Sequence, residues 1–316
     1  MKRARAHHYI PQFYLKGFTA PNGALWAYEK HKPIRKSTPK NEAHERDFYA
    51  YKDEQGELRD VEQRLADMES YVAPLFQLIE QGYHRFHQDD FHGLATFIAL
   101  LWLRGPSGRD FVKGLLAQVM KSISMERAAN KEEFTREYEK FASHAPTNVT
   151  AEEMRQFILS GEWDVEQQSY GYTLRKMFEG IPIVASILEH KQWEILIAQN
   201  ESFCTSDIPI VTILPDRHSN EATIGTGFAM PGVHVLFPLN KQKCLVLKDR
   251  AICDGRAIRD VKVREVNKII MVGARRFIYA CENNSAMQKV FSRIGCKSIP
   301  GETAFMPTPK NYGVIR

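Results

Sequence analysis

The chain has 316 residues, with 43 Lys+Arg against 38 Asp+Glu for a formal charge of +5, and is 43% hydrophobic and 26% charged. That balance is the globular average and excludes a disordered or collagen-like chain. A membrane span needs about 18 uninterrupted apolar residues, and the closest run, 97–103, is far short of that.

Residues 1–55 hold 11 Lys+Arg and 6 Asp+Glu, so the whole positive excess is N-terminal. The start is basic through His8 but continues Tyr9-Ile10-Pro11-Gln12 where a secretory signal would be apolar, so a cytoplasmic location is expected. Pro11 at a helix start and Gly17 after Phe13, Tyr14 and Leu15 predict a helix of one or two turns. Two strands follow, 24–29 after the Pro21-Asn22-Gly23 turn and 47–52, expected to share one small sheet.

From residue 58 the pattern is helical. Val61, Leu65, Met68, Val72, Leu75, Phe76 and Ile79 recur at three- and four-residue steps up to Gly82. A second helix is expected over 89–103, broken by Gly105-Pro106-Ser107-Gly108, and a third over 109–125, running into the polar stretch 126–140. The best internal break lies at 144–148. Thr150 and Glu153 then form a capping box that opens a helix to Leu159, and 165–189 reads as a long helix bent at Gly180-Ile181-Pro182.

The texture then turns to β, with short apolar runs at 193–198, 203–205, 210–213, 233–237 and 243–247. A basic helix near 260–275, a strand at 277–280 and a short helix near 284–293 complete the chain. The expectation is an α+β protein: a central helical bundle with N-terminal strands and a C-terminal, mostly antiparallel sheet packed together. It reads as a single domain with sub-regions 1–57, 58–190 and 191–316.

Few positions carry chemistry. His8 lies beside a proline-fixed helix start with Gln12 four residues on, and can serve as general base, metal ligand or anion contact; adjacent His7 and His8 in extended chain point to opposite sides. Glu62 and Glu69 are seven residues apart, nearly two turns, and share a helix face beside Leu65 and Met68. Carboxylates there must be paired, with Arg104 a natural partner, or functional. Arg104 ends an apolar helix and can cap it or hold a phosphate or carboxylate in its planar fork. Ser206 and Asp207 follow a strand in Thr205-Ser206-Asp207-Ile208-Pro209, a turn composition and also a common place for site residues.

Other signals are weaker. His84-x-x-His87 near Asp89, Asp90 and His92 contains metal-ligand types without a partner cluster, and the five cysteines show no Cys-x-x-Cys spacing. Arg256, Arg259, Lys262, Arg264, Lys268, Arg275 and Arg276 flank a helix with a solvated basic side. The basic N-terminal stretch also carries His7, His8, Tyr9, Phe13, Tyr14, Trp26 and Tyr28, which reads first as a solvated basic face over a buried aromatic cluster and otherwise as a surface suited to a phosphate backbone and stacked bases.

The run His8-Tyr9-Ile10-Pro11-Gln12-Phe13-Tyr14-Leu15-Lys16-Gly17-Phe18, together with Thr205-Ser206-Asp207-Ile208-Pro209, resembles a bacterial family catalogued as domain of unknown function 4238. Its pattern also includes a glutamate pair matching Glu62 and Glu69, an arginine and proline matching Arg104 and Pro106, and a Phe-Pro-Leu matching Phe237-Pro238-Leu239. The resemblance implies a bacterial or phage-associated cytosolic protein and supplies no activity. Two readings follow. One is a sensor or effector of a defence or stress system acting through a protein partner or nucleic acid. The other is a metal-dependent nuclease or phosphodiester hydrolase, with His8 as base or ligand and Glu62 and Glu69 holding a divalent ion or orienting water. In it Arg104 steadies the phosphate, Asp207 joins the catalytic set, and Gln12 and Ser206 contribute to binding.

Overall fold

Proline costs nothing at a helix start, where its missing N–H would have no partner. The computed structural model describes residues 6–52, 55, 57–82, 86–140, 149–165, 170–215, 222–249, 263–294 and 314–315. In it a strand β1 (Ala6–His8) leads through Pro11 into α1 (Gln12–Lys16), which ends at Gly17. The chain continues as β2 (Leu25–Glu29), β3 (Arg35–Ser37), β4 (His44–Arg46), β5 (Ala50–Lys52) and β6 (Leu58–Asp60). The sequence features at His84, 144–148, Cys253, Arg256, Arg259, Lys262 and Cys296 lie outside the described residues.

The strands expected at 24–29 and 47–52 do not share a sheet. β4 returns to pair with β1, and β5 pairs with β6. The cause is Asp47, whose left-handed backbone (φ 54°) turns the chain out of β4 and drops Phe48 and Tyr49 into the core. Residues 58–60 are drawn into the β5 pairing, so the helix begins later than its apolar period suggests.

Six helices follow: α2 (Glu62–Glu80), α3 (Gln88–Arg104), α4 (Pro106–Ala129), α5 (Lys131–Lys140), α6 (Ala151–Ser160) and α7 (Tyr170–Glu189). The expected apolar stripe of α2 is buried at Leu65, Val72, Leu75, Phe76 and Ile79, and α3 is a core helix. Only Gly105 separates α3 from α4. A Cβ on Gly108 would stand 2.3 Å from the carbonyl oxygens of Trp102 and Leu103, so glycine is required for this tight junction. Thr150 and Glu153 form the capping box that starts α6, and left-handed Gly161 (φ 68°) stops it. α7 is described from Tyr170 and carries Pro182 within it.

The last third forms β7 (Gln192–Ile197), β8 (Thr205–Ser206), β9 (Val211–Pro215), β10 (Ala222–Ile224), β11 (His234–Asn240), β12 (Lys243–Lys248), α8 (Val263–Gly273), β13 (Phe277–Ala280), α9 (Ser285–Arg293) and β14 (Val314–Ile315). One sheet has the order β14-β10-β9-β11-β12-β7; the other, β3-β2-β13-β8, joins N-terminal strands to C-terminal ones. Every pairing between described strands is antiparallel. The fold is α+β.

The six-stranded sheet is buried on both faces, which is why its central strands read as unbroken apolar runs rather than alternating ones. Val235, Phe237, Leu245 and Leu247 face one core, shared with α1, α2, α3 and α7. Leu236, Cys244 and Val246 face a second, shared with α8 and the four-stranded sheet. Tyr14 of α1 links the layers. Its ring stacks on Phe237 at 5.3 Å, and its hydroxyl lies 2.8 Å from both Thr205 Oγ1 of β8 and the Pro238 carbonyl of β11. Burial holds this phenol well above its ordinary pKa, so it stays a donor.

Removing that hydroxyl leaves the buried Pro238 carbonyl without this donor and the Thr205 hydroxyl without this acceptor. Tyr14→Phe should lower the unfolding free energy by about 1–2 kcal/mol with an unchanged denaturant slope, as read by urea titration. A variant as stable as the parent would mean the hydroxyl is not a structural link.

Candidate functional site

Alternation along β1 turns its two histidines apart. His7 is fully buried, stacked on the Tyr49 ring at 5.6 Å, and its Nδ1 accepts the Tyr49 backbone N–H at 3.0 Å. His8 is half-buried and faces its cross-strand neighbour His44, ring to ring at 5.1 Å. Its Nδ1 lies 3.1 Å from the Glu42 carbonyl and its Nε2 3.1 Å from the Gln12 amide nitrogen. A carbonyl only accepts and an amide nitrogen only donates, so both contacts are satisfied by the neutral tautomer protonated at Nδ1. Burial, then the charge of His44, lowers the His8 pKa and favours that neutral form.

The His8 carbonyl, by contrast, faces the interior, where it accepts a hydrogen bond from Arg104 Nη2. The Arg104 side chain is 3% exposed, and its other two nitrogens are directed as closely: Nη1 to Glu69 Oε1 at 2.5 Å and Nε to the Tyr49 hydroxyl at 3.2 Å. Tyr49 in turn donates back to the Arg104 carbonyl at 3.3 Å. Burial works against the arginine's charge, but Tyr49 and Glu69 outweigh it and hold its pKa above the usual value. Burial pushes the Tyr49 phenol up to about 12, with Glu62 adding to the rise and Arg104 opposing it. Glu62 therefore sits within electrostatic reach of Tyr49, at the other end of the same helix stretch as Glu69.

Asp207 closes the opposite side of the N-terminal motif. Its carboxylate accepts three consecutive backbone N–H groups, Arg275 at 2.9 Å, Arg276 at 2.7 Å and Phe277 at 3.0 Å, while its own N–H donates to the Phe277 carbonyl. Burial raises its pKa to about 6, against the pull of the three N–H groups and of Arg275. Its charge reaches Tyr9 and Tyr279, two phenols whose pKa values burial also raises. Ser206 Oγ bonds within its own turn, donating to the Ile208 carbonyl at 2.6 Å and accepting the Ile208 N–H at 3.1 Å. Glu42, whose carbonyl holds His8, is clamped by both Arg35 guanidinium nitrogens and by Ser37 Oγ.

The structure thus brings His8, Gln12, Glu69 and Arg104 together, with Glu62 beside them across Tyr49. Ser206 and Asp207 stand apart, connected through Tyr9, the residue after His8. The residues that complete the assembly and escape sequence reasoning are Tyr49, Glu42, Arg35 and His44, which look in sequence like ordinary strand and turn positions. Behind Arg104 lies a cavity of only ≈10 Å³, walled by Val61, Leu65, Leu100, Leu174 and Met177. At most a single water could enter it. Among the described residues no three His, Cys, Asp or Glu side chains are arranged to hold a metal ion. His87 and Asp90, candidates for such a site, instead cap α3, with Asp90 accepting the His87 N–H at 2.8 Å. No described helix is long and apolar enough to cross a membrane.

A family model described as "Protein of unknown function (DUF4238)" matches residues 6–284. No curated protein and no solved structure matches the chain.

Two outcomes test the geometry. Arg104→Met strands the Glu69 carboxylate and two buried acceptors, so urea unfolding should show a loss of about 3–5 kcal/mol, larger than for Glu69→Gln, whose carboxylate reaches solvent. For Asp207 the sign runs toward acid. A folded pKa of about 6 lies above the unfolded value of about 3.9, so the folded state binds the proton more tightly. The stability from that proton is full below about pH 4 and lost as pH rises through about 6. The stability difference between wild type and Asp207→Asn should therefore grow by about 2 kcal/mol from pH 7 to pH 4. A difference that stays flat across that range would mean that the N–H cradle outweighs burial.

Proposed function

The chain belongs to the DUF4238 family, whose description carries no activity, and from that premise we propose that it is a cytosolic bacterial interaction protein. It serves as a sensor or effector of a defence or stress system, acting through a partner or nucleic acid. The observation that carries this reading is the burial and inward hydrogen bonding of Arg104. Each of its three nitrogens donates to a protein acceptor, Tyr49, Glu69 or the His8 carbonyl, at 3% exposure. An arginine that steadies a phosphate in a reaction needs free donors directed into a space a substrate can enter. Here the adjoining cavity holds a water at most. The arrangement supports a role for the His8, Glu69 and Arg104 assembly in fixing the fold while outer surfaces do the recognising.

One feature favours the second reading, a metal-dependent nuclease or phosphodiester hydrolase. His8 is half-buried, neutral and edged by exposed Gln12 and His44, the state a general base requires. In that reaction the imidazole Nε2 would have to give up the Gln12 amide to take a proton from water, and Glu69 would have to leave Arg104 to reach a metal ion.

The deciding experiment offers labelled single- and double-stranded DNA and RNA to the purified protein with Mg²⁺, Mn²⁺ or EDTA, beside a His8→Ala variant whose melting curve matches wild type. The expected result is no metal-dependent cutting by either protein. Cutting by wild type that disappears in His8→Ala overturns the interaction reading in favour of the hydrolase.

A further inference from the structure

We propose that the outer edge of the four-stranded sheet binds the phosphate backbone of a single-stranded nucleic acid. The surface consists of β3, the β2–β3 turn, Arg275–Arg276 and α9. This deepens the partner-binding reading by naming the partner's chemistry and moving its site away from the His8 motif.

The elements are tied together by direct contacts. Lys30 Nζ lies 5.2 Å from the Phe291 ring centre, the His31 N–H donates to Ser292 Oγ at 3.3 Å, and Gln288 Nε2 donates to the carbonyls of Glu29 and Lys32 at 2.8 and 3.0 Å. The β2–β3 turn is therefore seated on α9. On the other side Arg276 Nε bonds Glu29 at 2.9 Å, and both Arg276 and Arg35 lie over the Phe277 ring, at 4.7 and 5.8 Å. Among the described strands β3 is the outermost of its sheet.

Charge is what sets this surface apart. Residues 29–37, Arg275–Arg276 and α9 contain eight Lys or Arg and one carboxylate, Glu29. Lys32, Arg35, Lys36, Arg275, Arg276, Lys289 and Arg293 are exposed. Set against Glu29, Glu42, which pairs with Arg35, Asp110, which pairs with Arg275, and Glu282 just before α9, the eight cations leave a net charge of +4 among these described residues. The whole chain has a surplus of only five. Basic residues on an edge strand can serve simply to block pairing with another strand. That explains Arg35 and Lys36 but not the cations of the turn and helix, which have no strand edge to protect.

A polyanion gains affinity by displacing counterions wherever such cations line up, independently of its sequence. The preference for a single strand follows from the planar groups on either side of this edge. Phe277 on one face of the sheet, between two guanidinium planes, and Trp26 on the other, across from Lys36, are half-buried rather than covered. Unpaired bases stack on such groups, whereas bases within a duplex are not available to them.

The test is fluorescence anisotropy with end-labelled oligo-dT and oligo-U of about 20 nucleotides across a salt series. The triple variant Lys36→Gln/Lys289→Gln/Arg293→Gln is compared with Lys113→Gln/Arg136→Gln/Lys140→Gln, which removes the same charge from exposed positions on α4 and α5. The first should weaken binding about tenfold at about 100 mM salt and flatten the log–log salt slope by about 2, since each phosphate contact on a single strand contributes about 0.7. The second should stay within about twofold of wild type. Equal losses in both variants, no oligonucleotide binding by wild type, tighter binding of a duplex, or binding of phosphatidylserine vesicles instead would each overturn the proposal. None of these results touches the interaction reading itself, which the cleavage assay decides.

Discussion

A guanidinium cannot be dehydrated without partners for its donors, and that requirement organises the first half of the molecule. Arg104 sits at the last turn of a core helix, 3% exposed, where its charge would be costly if any nitrogen were left unpaired. The partners come from three separate places: a carboxylate on α2, a phenol in the turn after β4 and the backbone of β1. Satisfying one arginine thus fixes two helices, a turn and the N-terminal strand against each other. The same geometry decides which histidine is buried. With the His8 carbonyl turned inward to Arg104, alternation along β1 sends the His7 ring into the core and leaves the His8 ring near the surface.

Asp207 plays the corresponding part in the second half, with the charge reversed. Three successive N–H groups between α8 and the start of β13 converge on one buried carboxylate. Between these two staples stands Tyr14, bonded to β8 and β11 and stacked on Phe237, so the short motif from His8 to Phe18 touches both sheets and the helical layer. The motif is conspicuous in sequence because one helix of five residues must meet so many surfaces at once.

What the sequence disclosed follows from which interactions are local. The stripe of α2, the Thr150 capping box, the glycine break before α4 and the apolar runs of β11 and β12 are set by neighbours a few residues away, and each is legible. The pairing of Glu69 with Arg104 is also foreseeable, since a carboxylate on an apolar helix face demands a cation. Tyr49 and Glu42 are not legible, because their roles depend on contacts with residues 55 and 7 positions away that no local pattern encodes. The strand at 47–52 fails for a related reason. Its aromatic composition suits a strand, but a left-handed Asp47 redirects Phe48 and Tyr49 into the core, and a core position and a strand position favour the same residue types.

Charge divides the molecule in a way that folding alone does not require. Among the described residues each buried Lys or Arg has a defined acceptor: Arg104 has Glu69, Lys191 has Asp249 at 2.6 Å, Lys248 has Glu194 at 2.5 Å, and Lys243 has the Ile79 carbonyl. Burial compels that pairing, because an unpaired charge in the interior would cost several kcal/mol. Solvent imposes no such demand on exposed lysines and arginines, which could be scattered and balanced by neighbouring carboxylates at negligible cost. At β3, the β2–β3 turn and α9 they are instead gathered and left in excess. The hub around Arg104 consumes its charges internally, and the sheet edge presents its charges outward. The first pattern is what a fold needs for its own stability, and the second has a physical consequence only when something negative approaches.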